Sequence, residues 1–462
     1  MKNILYLVAF LEGFSTLAVE LLAIRILIPV VGSSVVLTGV VLSVILLALS
    51  LGYEQGGRLA QSGRRREALV FNLTLSGTLY AWGLFLLPRL GDGLVDGLGL
   101  SWGLLLAAVL ALGLPVFLAS CTIPVLVQML AEAEDGTGQS GRWTGRLLLV
   151  STLGSVAGGL LPPMLLFGWA GVGWTAVGVV LTLWLCAALL SFGRGSGGRP
   201  ATVLLLAGLP ALLFLSIPSS DLFHRDSAYQ QLRVARVGGE RILFTNGQAA
   251  SGLTWPAKQP SFSYVREALE VLSERPLGNA LFLGAAGMVL PERLERDRGV
   301  DALSVDLDPA VREAALALWG EPLRGRFLAA SARAVVRKCE PRQYDLVFLD
   351  TFSGNAPPPE TLTLEYLRQA QRCGRLVIAN AIFDKGMKSA FSSSVLSTAR
   401  AAWGAVYYRQ AATMPGSLAD NYLLSDQPLP GFASYPGKGV IYRDGRHTIE
   451  RDWLAVASIK TK

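Results

Sequence analysis

NALFLGAAG at residues 279–287 is the stretch that decides the fold of the C-terminal half. The apolar run up to Leu283 predicts a short buried strand, and the small residues from Gly284 to Gly287 predict a tight turn before a helical pattern at Val289 to Asp297. A strand that passes through such a turn into a helix is typical of the first unit of an open α/β sheet, where the turn lets the backbone approach a ligand.

Four further strands are predicted downstream of this turn, at Ala302–Leu307, Phe327–Ala330, Tyr344–Leu349 and Gly374–Ala379. Helical patterns alternate with them, which predicts a parallel, Rossmann-like sheet with ligands at the carboxyl ends of its strands. Asp306 follows Gly284 by about twenty residues, the spacing at which an acid can bind the ribose of a nucleoside. This pattern alone does not separate a nicotinamide cofactor from S-adenosylmethionine, and a structural turn with a solvated acid is the alternative.

Strands are also predicted upstream of the sheet, at Gln231–Val237 and Arg241–Thr245, with a Gly238-Gly239 turn between them and an Asn246-Gly247 turn after them. We therefore expect a small antiparallel β element and a linker helix over residues 222–278. The nucleoside-binding domain is expected over residues 279–462.

The density of charged residues changes near residue 220 and divides the chain into two halves. Only 20 of the 75 charged residues lie in residues 1–218, and charged residues make up 16% of the whole chain, against about a quarter in ordinary soluble proteins. A purely soluble protein is therefore excluded. The net charge of +7 divides into +2 and +5 for the two halves, too weak and dispersed for a nucleic-acid partner.

The apolar pattern of the first half predicts a multi-pass α-helical membrane domain over residues 1–218. Seven apolar stretches approach the roughly 20 residues that cross a bilayer. They are Ile4–Pro29, Val35–Tyr53, Ala68–Leu87, Leu100–Leu130, Leu147–Phe167, Val172–Phe192 and Ala201–Ile217. Basic residues gather on one side of these stretches, which places the N terminus in the cytoplasm. The last stretch has only 17 residues, with Pro210 in its middle. We therefore favour six crossings over seven, in the cell membrane, with the second half on the cytoplasmic side.

Two features stand out inside the predicted spans. Glu12, Glu20 and Arg25 share the first span, where ionisable residues are functional candidates, with contacts between helices as the alternative. Two groups of small residues predict close helix packing: Gly154, Gly158 and Gly159, and Gly52, Gly56 and Gly57.

Metal and disulfide chemistry find no support in the sequence. The four cysteines show no paired spacing, and the two histidines, His224 and His447, are isolated from each other. We therefore expect no metal site.

The motifs taken together resemble the spermidine and spermine synthase family, the polyamine aminopropyltransferases, in its membrane-anchored form. Several stretches carry the resemblance: Tyr229-Gln230, TNGQ at 245–248, GAAG at 284–287, SVDLDP at 304–309 and YDLVFLDTFSG at 344–354 in the second half, with VELLAIRIL near Glu20, GGRLA at 56–60 and TIPVL at 122–126 in the first.

The resemblance implies that an amine attacks the aminopropyl carbon of decarboxylated S-adenosylmethionine and releases methylthioadenosine. Asp350 would accept the proton from the amine. Gln230, Gly284, Gly287 and Asp306 would bind the nucleoside, with Ser331 and Ala332 near its adenine. The nucleoside is a co-substrate rather than a permanently bound cofactor, and the expected partners are a small-molecule amine, the lipid bilayer and a second copy of the chain.

Several acids of the family pattern are missing. The second acid of the catalytic loop is Ser353, and the family's YHE triplet resembles Tyr264, Val265 and Arg266, unless a one-residue shift places Glu267 there. Because polyamines are strings of cations, a site poor in carboxylates suits them badly. We therefore expect binding of S-adenosylmethionine or a derivative without efficient use of an ordinary diamine, and Arg266 could bind the carboxylate of intact S-adenosylmethionine. Methyl transfer is the enzymatic alternative, and a non-catalytic transporter or sensor is the other.

Overall fold

The computed structural model describes residues 2–31, 35–133, 140–191, 198–216, 221–351, 358–411, 419–449 and 451–453. Contacts within the chain divide it into two compact units, Met1–Pro218 and Ser219–Lys462.

The first unit is helical throughout its described residues. Its helices are α1 (Lys2–Val31), α2 (Val35–Ala60), α3 (Arg65–Leu98), α4 (Leu100–Ala108), α5 (Leu114–Ser120), α6 (Thr122–Ala133), α7 (Ser140–Leu161), α8 (Phe167–Ser191) and α9 (Gly198–Ser216). Short π-helical turns, Val109–Gly113 and Pro162–Leu166, join α4 to α5 and α7 to α8.

Five helical runs among the described residues are long and apolar enough to cross a membrane, and Thr202–Leu215 forms a shorter apolar helix. This number is smaller than the seven stretches predicted from the sequence, for two reasons. The fifth and sixth stretches belong to one run over Gly141–Ser191, whose backbone is non-helical only at Gly171 (φ 81°, ψ 168°). The seventh stretch is too short to count.

Helices α1 and α7 lie in close contact through small residues. A Cβ on Gly154 would lie 2.0 Å from the carbonyl oxygen of Phe10, and one on Gly158 would lie 2.1 Å from that of Phe14. The predicted close packing is confirmed at these two positions and also at Gly52, Gly56 and Gly159. It is wrong at Gly57, where a Cβ would have no described neighbour within 4 Å. Glu12 is buried on α1, where the Thr16 hydroxyl donates to its carboxylate at 3.3 Å.

The second unit begins with a four-stranded antiparallel sheet in the order β1 (Phe223–Asp226), β2 (Gln231–Val237), β3 (Glu240–Thr245) and β4 (Gln248–Thr254). The sequence predicts only β2 and β3. The outer strands escape the prediction because β1 is short and polar and β4 carries several small residues. Helix α10 (Ser263–Leu272) leads from this sheet to the next.

An eight-stranded sheet follows. Its strands are β5 (Asn279–Leu283), β6 (Asp301–Asp306), β7 (Arg326–Ala329), β8 (Tyr344–Leu349), β9 (Gly374–Asp384), β10 (Tyr407–Gln410), β11 (Ala419–Ser425) and β12 (Ala433–Ser434). Their order in the sheet is β12-β10-β11-β9-β8-β5-β6-β7. Its helices are α11 (Val289–Arg298), α12 (Ala310–Trp319), α13 (Ala332–Lys338), α14 (Leu364–Cys373) and α15 (Ala390–Trp403). Strands β5 to β9 are parallel, and β11 runs antiparallel to β9 and β10.

Alternate residues of the central strands pack on opposite faces of this sheet. Phe282 and Phe348 belong to the apolar core on one face, whereas Leu281 and Val347 belong to the core on the other. Both faces are covered, which explains why the central strands read as continuous apolar runs. The predicted architecture, long apolar helices followed by a small antiparallel sheet and a Rossmann-like sheet, is confirmed.

Candidate active site

Three predicted site residues meet at the carboxyl edge of the parallel strands. Gly284 follows β5, Asp306 ends β6 and Asp350 follows β8. Strand β5 lies between β6 and β8, so the strand order reverses at β5: β6 and β7 continue the sheet on one side, and β8 and β9 continue it on the other. Open α/β sheets bind their ligands at such a point. The backbone locks the three ends together, since the Gly284 amide donates to Val305 and the Asp350 amide donates to Leu283, both at 2.8 Å.

Gly284 allows β5 and β8 to approach each other at this edge. Its φ is +95°, and a Cβ there would lie 1.9 Å from the carbonyl oxygen of Asp350. Only glycine fits both the left-handed conformation and the contact. The close approach of the two strand ends therefore depends on a glycine at this position.

Asp306 is held by backbone amides at the same turn. The Ala285 amide donates to one carboxylate oxygen at 3.2 Å, and the Asp308 amide donates to the other at 3.0 Å. Burial raises the pKa of Asp306, and these two hydrogen bonds oppose that rise. Each oxygen keeps a lone pair that can accept a hydrogen bond from a ribose hydroxyl, so this carboxylate fits a nucleoside.

Asp350 is fixed through both of its carboxylate oxygens. The Tyr264 hydroxyl donates to Oδ2 at 2.9 Å, and the Asn380 side-chain amide donates to Oδ1 at 2.8 Å. Burial raises the pKa of Asp350 to about 6, the two hydrogen bonds lower it, and the nearby charge of Asp306 raises it. A carboxylate with this pKa is largely ionised at neutral pH and is a better proton acceptor than an exposed aspartate.

The residues of the predicted Tyr264–Arg266 triplet have separate roles. Tyr264 is buried and contacts Asp350, as described above. Arg266 lies on the exposed side of α10, and its guanidinium donates to the carbonyls of Pro260 at 2.8 Å and Ser261 at 2.7 Å. The carboxylate of Glu267 forms an ion pair with Arg409. The structure therefore gives Arg266 backbone partners of its own, away from the Tyr264–Asp350 contact.

Gly287 lies within the same turn but has different neighbours from Gly284. A Cβ on it would lie 2.8 Å from the side chain of Leu318 on α12 and 3.2 Å from that of Ser251 on β4. Its positive φ of +72° and its lack of a side chain allow close packing beneath the turn.

Gln230 belongs to a turn that a second aspartate holds near Asp306. The Ser227 hydroxyl accepts from the Gln230 amide at 3.0 Å and donates to Asp308 at 2.6 Å. Ser331 is exposed at the start of α13, and Ala332 is the first residue of that helix. Both follow β7, the strand next to β6, on the same edge of the sheet as Asp306.

Asn380 is a site residue that the sequence does not predict. The apolar pattern ends at Ala379, whereas β9 continues to Asp384 because β11 pairs with it from Ile378 to Asp384. Such a pairing joins segments about forty residues apart and leaves no local signal. Ser353, the predicted replacement for the second acid, lies outside the described residues.

No group of three or more His, Cys, Asp or Glu side chains that could hold a metal ion occurs within the part of the chain that the structure describes.

Comparison with known proteins gives one curated relative and a set of solved structures. No family model matches the chain. An N-terminal histidine N-methyltransferase from Emericella nidulans is 33% identical over 93 residues, which are 19% of this chain and 16% of that protein. The chain thus spans about one sixth of the length of this relative.

Among solved structures, a probable spermidine synthase from Corynebacterium glutamicum is 16% identical, with a TM-score of 0.39 over 45% of this chain and 80% of that one. Human methyltransferase-like protein 13 in complex with SAH is 22% identical, with a TM-score of 0.29 over 43% of this chain and 89% of that one.

The second unit has an open, Rossmann-like α/β fold. Its open sheet is parallel through β5 to β9 and carries the antiparallel strand β11.

Proposed function

We propose that the second unit transfers an alkyl group from an S-adenosyl sulfonium to an amine, with Asp350 as the proton acceptor. The observation that carries this proposal is the Asp350 carboxylate, fixed through both oxygens by Tyr264 and Asn380, beside an Asp306 that suits a ribose. Gly284 provides the close backbone approach that the nucleoside needs.

The reaction forms one bond and breaks one. The lone pair of a neutral amine attacks the carbon next to the sulfonium, and the carbon–sulfur bond breaks with its electron pair going to sulfur, which leaves a neutral thioether. The new ammonium gives up its proton to Asp350. S-adenosylmethionine supplies a methyl group and leaves S-adenosylhomocysteine, whereas its decarboxylated form supplies an aminopropyl group and leaves methylthioadenosine.

Two observations favour different transferred groups. The hydrogen bond between Tyr264 and Asp350 joins two motifs of the aminopropyltransferase resemblance and supports aminopropyl transfer. Methyl transfer is supported by the missing acids, because Ser353 and Arg266 stand where the family resemblance expects carboxylates, and Asp308 is buried against Ser227. We therefore give methyl transfer to an amine at least equal standing with polyamine synthesis.

The first unit is proposed to anchor this enzyme in the cell membrane as a multi-pass domain, with the second unit on the cytoplasmic side, where S-adenosylmethionine is available. Five long apolar runs support the anchoring. A second copy of the chain is proposed as a partner. Reporter fusions after residues 199 and 225 test the side, since both must report the cytoplasm.

Product analysis with full-length protein in detergent micelles tests the reaction. Each donor is incubated with a panel of monoamines and diamines, and the released nucleoside is identified by mass spectrometry. Asp350→Asn should lower turnover by about 10²-fold or more, the usual contribution of a general base. Asp301→Asn is the matched control, because Asp301 is exposed at the opposite end of β6.

The pH dependence has a defined sign. Asp350 accepts a proton only when ionised, so below about pH 6 kcat/KM should fall about tenfold per unit beyond the fall that protonation of the amine itself causes. Release of neither nucleoside, or wild-type turnover in Asp350→Asn, would refute the proposed reaction. Binding of S-adenosylhomocysteine without turnover would point to the transporter or sensor alternative.

A further inference from the structure

Three side chains form a row across β8, β9 and β11 behind the candidate base. The side-chain amide of Asn421 donates to the carbonyl oxygen of the Asn380 side chain at 2.9 Å, and the amide of Asn380 donates to Asp350 Oδ1 at 2.8 Å. Asn380 is 5% exposed, so these contacts take the place of water.

The strand register explains why the row forms. Leu423 pairs with Asn380 in the antiparallel pairing of β11 and β9, and Asn421 lies two residues away on the same face of the sheet. The two asparagines are therefore diagonal neighbours, close enough for their side chains to bond.

The hydrogen bonds of this row can run in only one direction, from Asn421 through Asn380 to Asp350. A carboxylate only accepts hydrogen bonds, so Asn380 must present its NH₂ group to Asp350 and its carbonyl oxygen to Asn421. Asn421 must then donate. If Asn421 could not donate, the Asn380 amide could rotate and place its oxygen against the carboxylate, where the lone pairs repel each other.

Two titratable groups also face Asp350 from other elements. Tyr264 on α10 donates to the second oxygen of Asp350, and Asp306 at the end of β6 adds a negative charge that opposes ionisation. Asn380 is uncharged, and it is the donor to Oδ1. It therefore stabilises the ionised carboxylate, and its own side chain does not titrate.

We infer that Asn380 and Asn421 are positioning residues, a relay that fixes the orientation and the protonation of Asp350. This inference deepens the proposed function, because it assumes that the protonation state of Asp350 matters for catalysis. Tyr264 and Asn380 each occupy one lone pair, so the carboxylate presents its remaining lone pairs in a fixed direction.

An infrared titration of full-length protein tests the relay without requiring turnover. The carboxyl stretch of protonated Asp350 is isolated as the difference between each protein and the same protein with Asp350→Asn. Asn380→Ala should raise the titration midpoint by roughly one pH unit, since it removes a hydrogen bond to the charged form. Asn380→Asp should raise it further, because a second carboxylate then faces the first.

Asn421→Ala should raise the midpoint by less than Asn380→Ala does. Asn279→Ala is the matched control, because Asn279 also bonds across strands, to Gln343 and Asp345, but at the opposite edge of the sheet. Its midpoint should equal that of the wild type. In the active enzyme, the acid limb of kcat/KM should move with the infrared midpoint in each variant.

An unchanged midpoint in Asn380→Ala would overturn the inference, and an unchanged midpoint in Asn421→Ala would remove Asn421 from the relay. A purely structural role would lower the amount of folded protein without moving the midpoint. If the Asn380 variants do not fold, Asn421→Ala, at a half-buried position, decides the matter. Shifted midpoints without any turnover in the wild type would refute the base role of Asp350 but not the relay.

Discussion

Gly284→Ala is the substitution for which the structure predicts the largest effect at the site. The residue joins the end of β5 to the turn, and its φ of +95° and its contact with the Asp350 backbone both exclude a side chain. The change adds one methyl group and no charge, so its consequences are steric.

Two contributions to the free-energy cost add in the Gly284→Ala variant. An alanine held at positive φ costs about 1–2 kcal/mol. Ordinary contact begins at 3.4 Å, whereas the new Cβ would lie 1.9 Å from the Asp350 carbonyl oxygen, so β5 and β8 must separate by about 1.5 Å at this edge. Forced overpacking of this kind costs about 1–3 kcal/mol more. Gly404→Ala is the matched control, since Gly404 has a φ of +85° and no neighbour within 4 Å, and it carries only the first cost.

Hydrogen exchange measures the local cost at β5 and β8. The amides of Gly284 and Asp350 donate across these strands, so their protection reports the separation directly. A local loss of about 3 kcal/mol corresponds to exchange about 10²-fold faster. Affinity for S-adenosylhomocysteine, measured by calorimetry, should fall in Gly284→Ala and stay unchanged in Gly404→Ala. Wild-type protection of β5 and β8 in Gly284→Ala would refute the close approach on which the site is built.

Three other substitutions test separate parts of the molecule. Tyr264→Phe removes a donor to the ionised base and should raise the pH at which activity is half lost. Tyr366→Phe removes a buried hydroxyl that has no hydrogen-bond partner among the described residues, and it should leave the pH profile unchanged. Asp306→Asn should weaken binding of S-adenosylhomocysteine by about tenfold or more, since a charged hydrogen bond is lost, while calorimetry of Asp301→Asn should show wild-type affinity. Gly154→Leu should prevent α1 and α7 from packing and reduce the yield of monodisperse protein in size-exclusion chromatography, and a normal yield would contradict that contact.

The sequence is informative wherever a local pattern determines the structure. The boundaries of β5 and β8 follow from their apolar runs and the glycine or aspartate after them, and parallel pairing then brings Gly284, Asp306 and Asp350 to one edge. Non-local pairing is what the sequence conceals. Asn380 becomes part of the site only because β11 extends β9, and Gly287 faces Leu318 because α12 packs beneath the turn. Neither arrangement has a signal within ten residues of the position concerned.

The environment of Asp350 balances two requirements that oppose each other. A base must be ionised before it can accept a proton, which favours a low pKa, yet its affinity for that proton increases as the pKa rises. Burial and the charge of Asp306 raise the pKa, and the donors Tyr264 and Asn380 lower it, with the result at about 6. At pH 7 roughly nine in ten copies are then ionised, while the proton affinity exceeds that of an exposed aspartate by about two pKa units. Burial without the two donors would leave the carboxylate protonated, and the two donors without burial would leave it too weak a base, so the chemistry proposed for this site requires both.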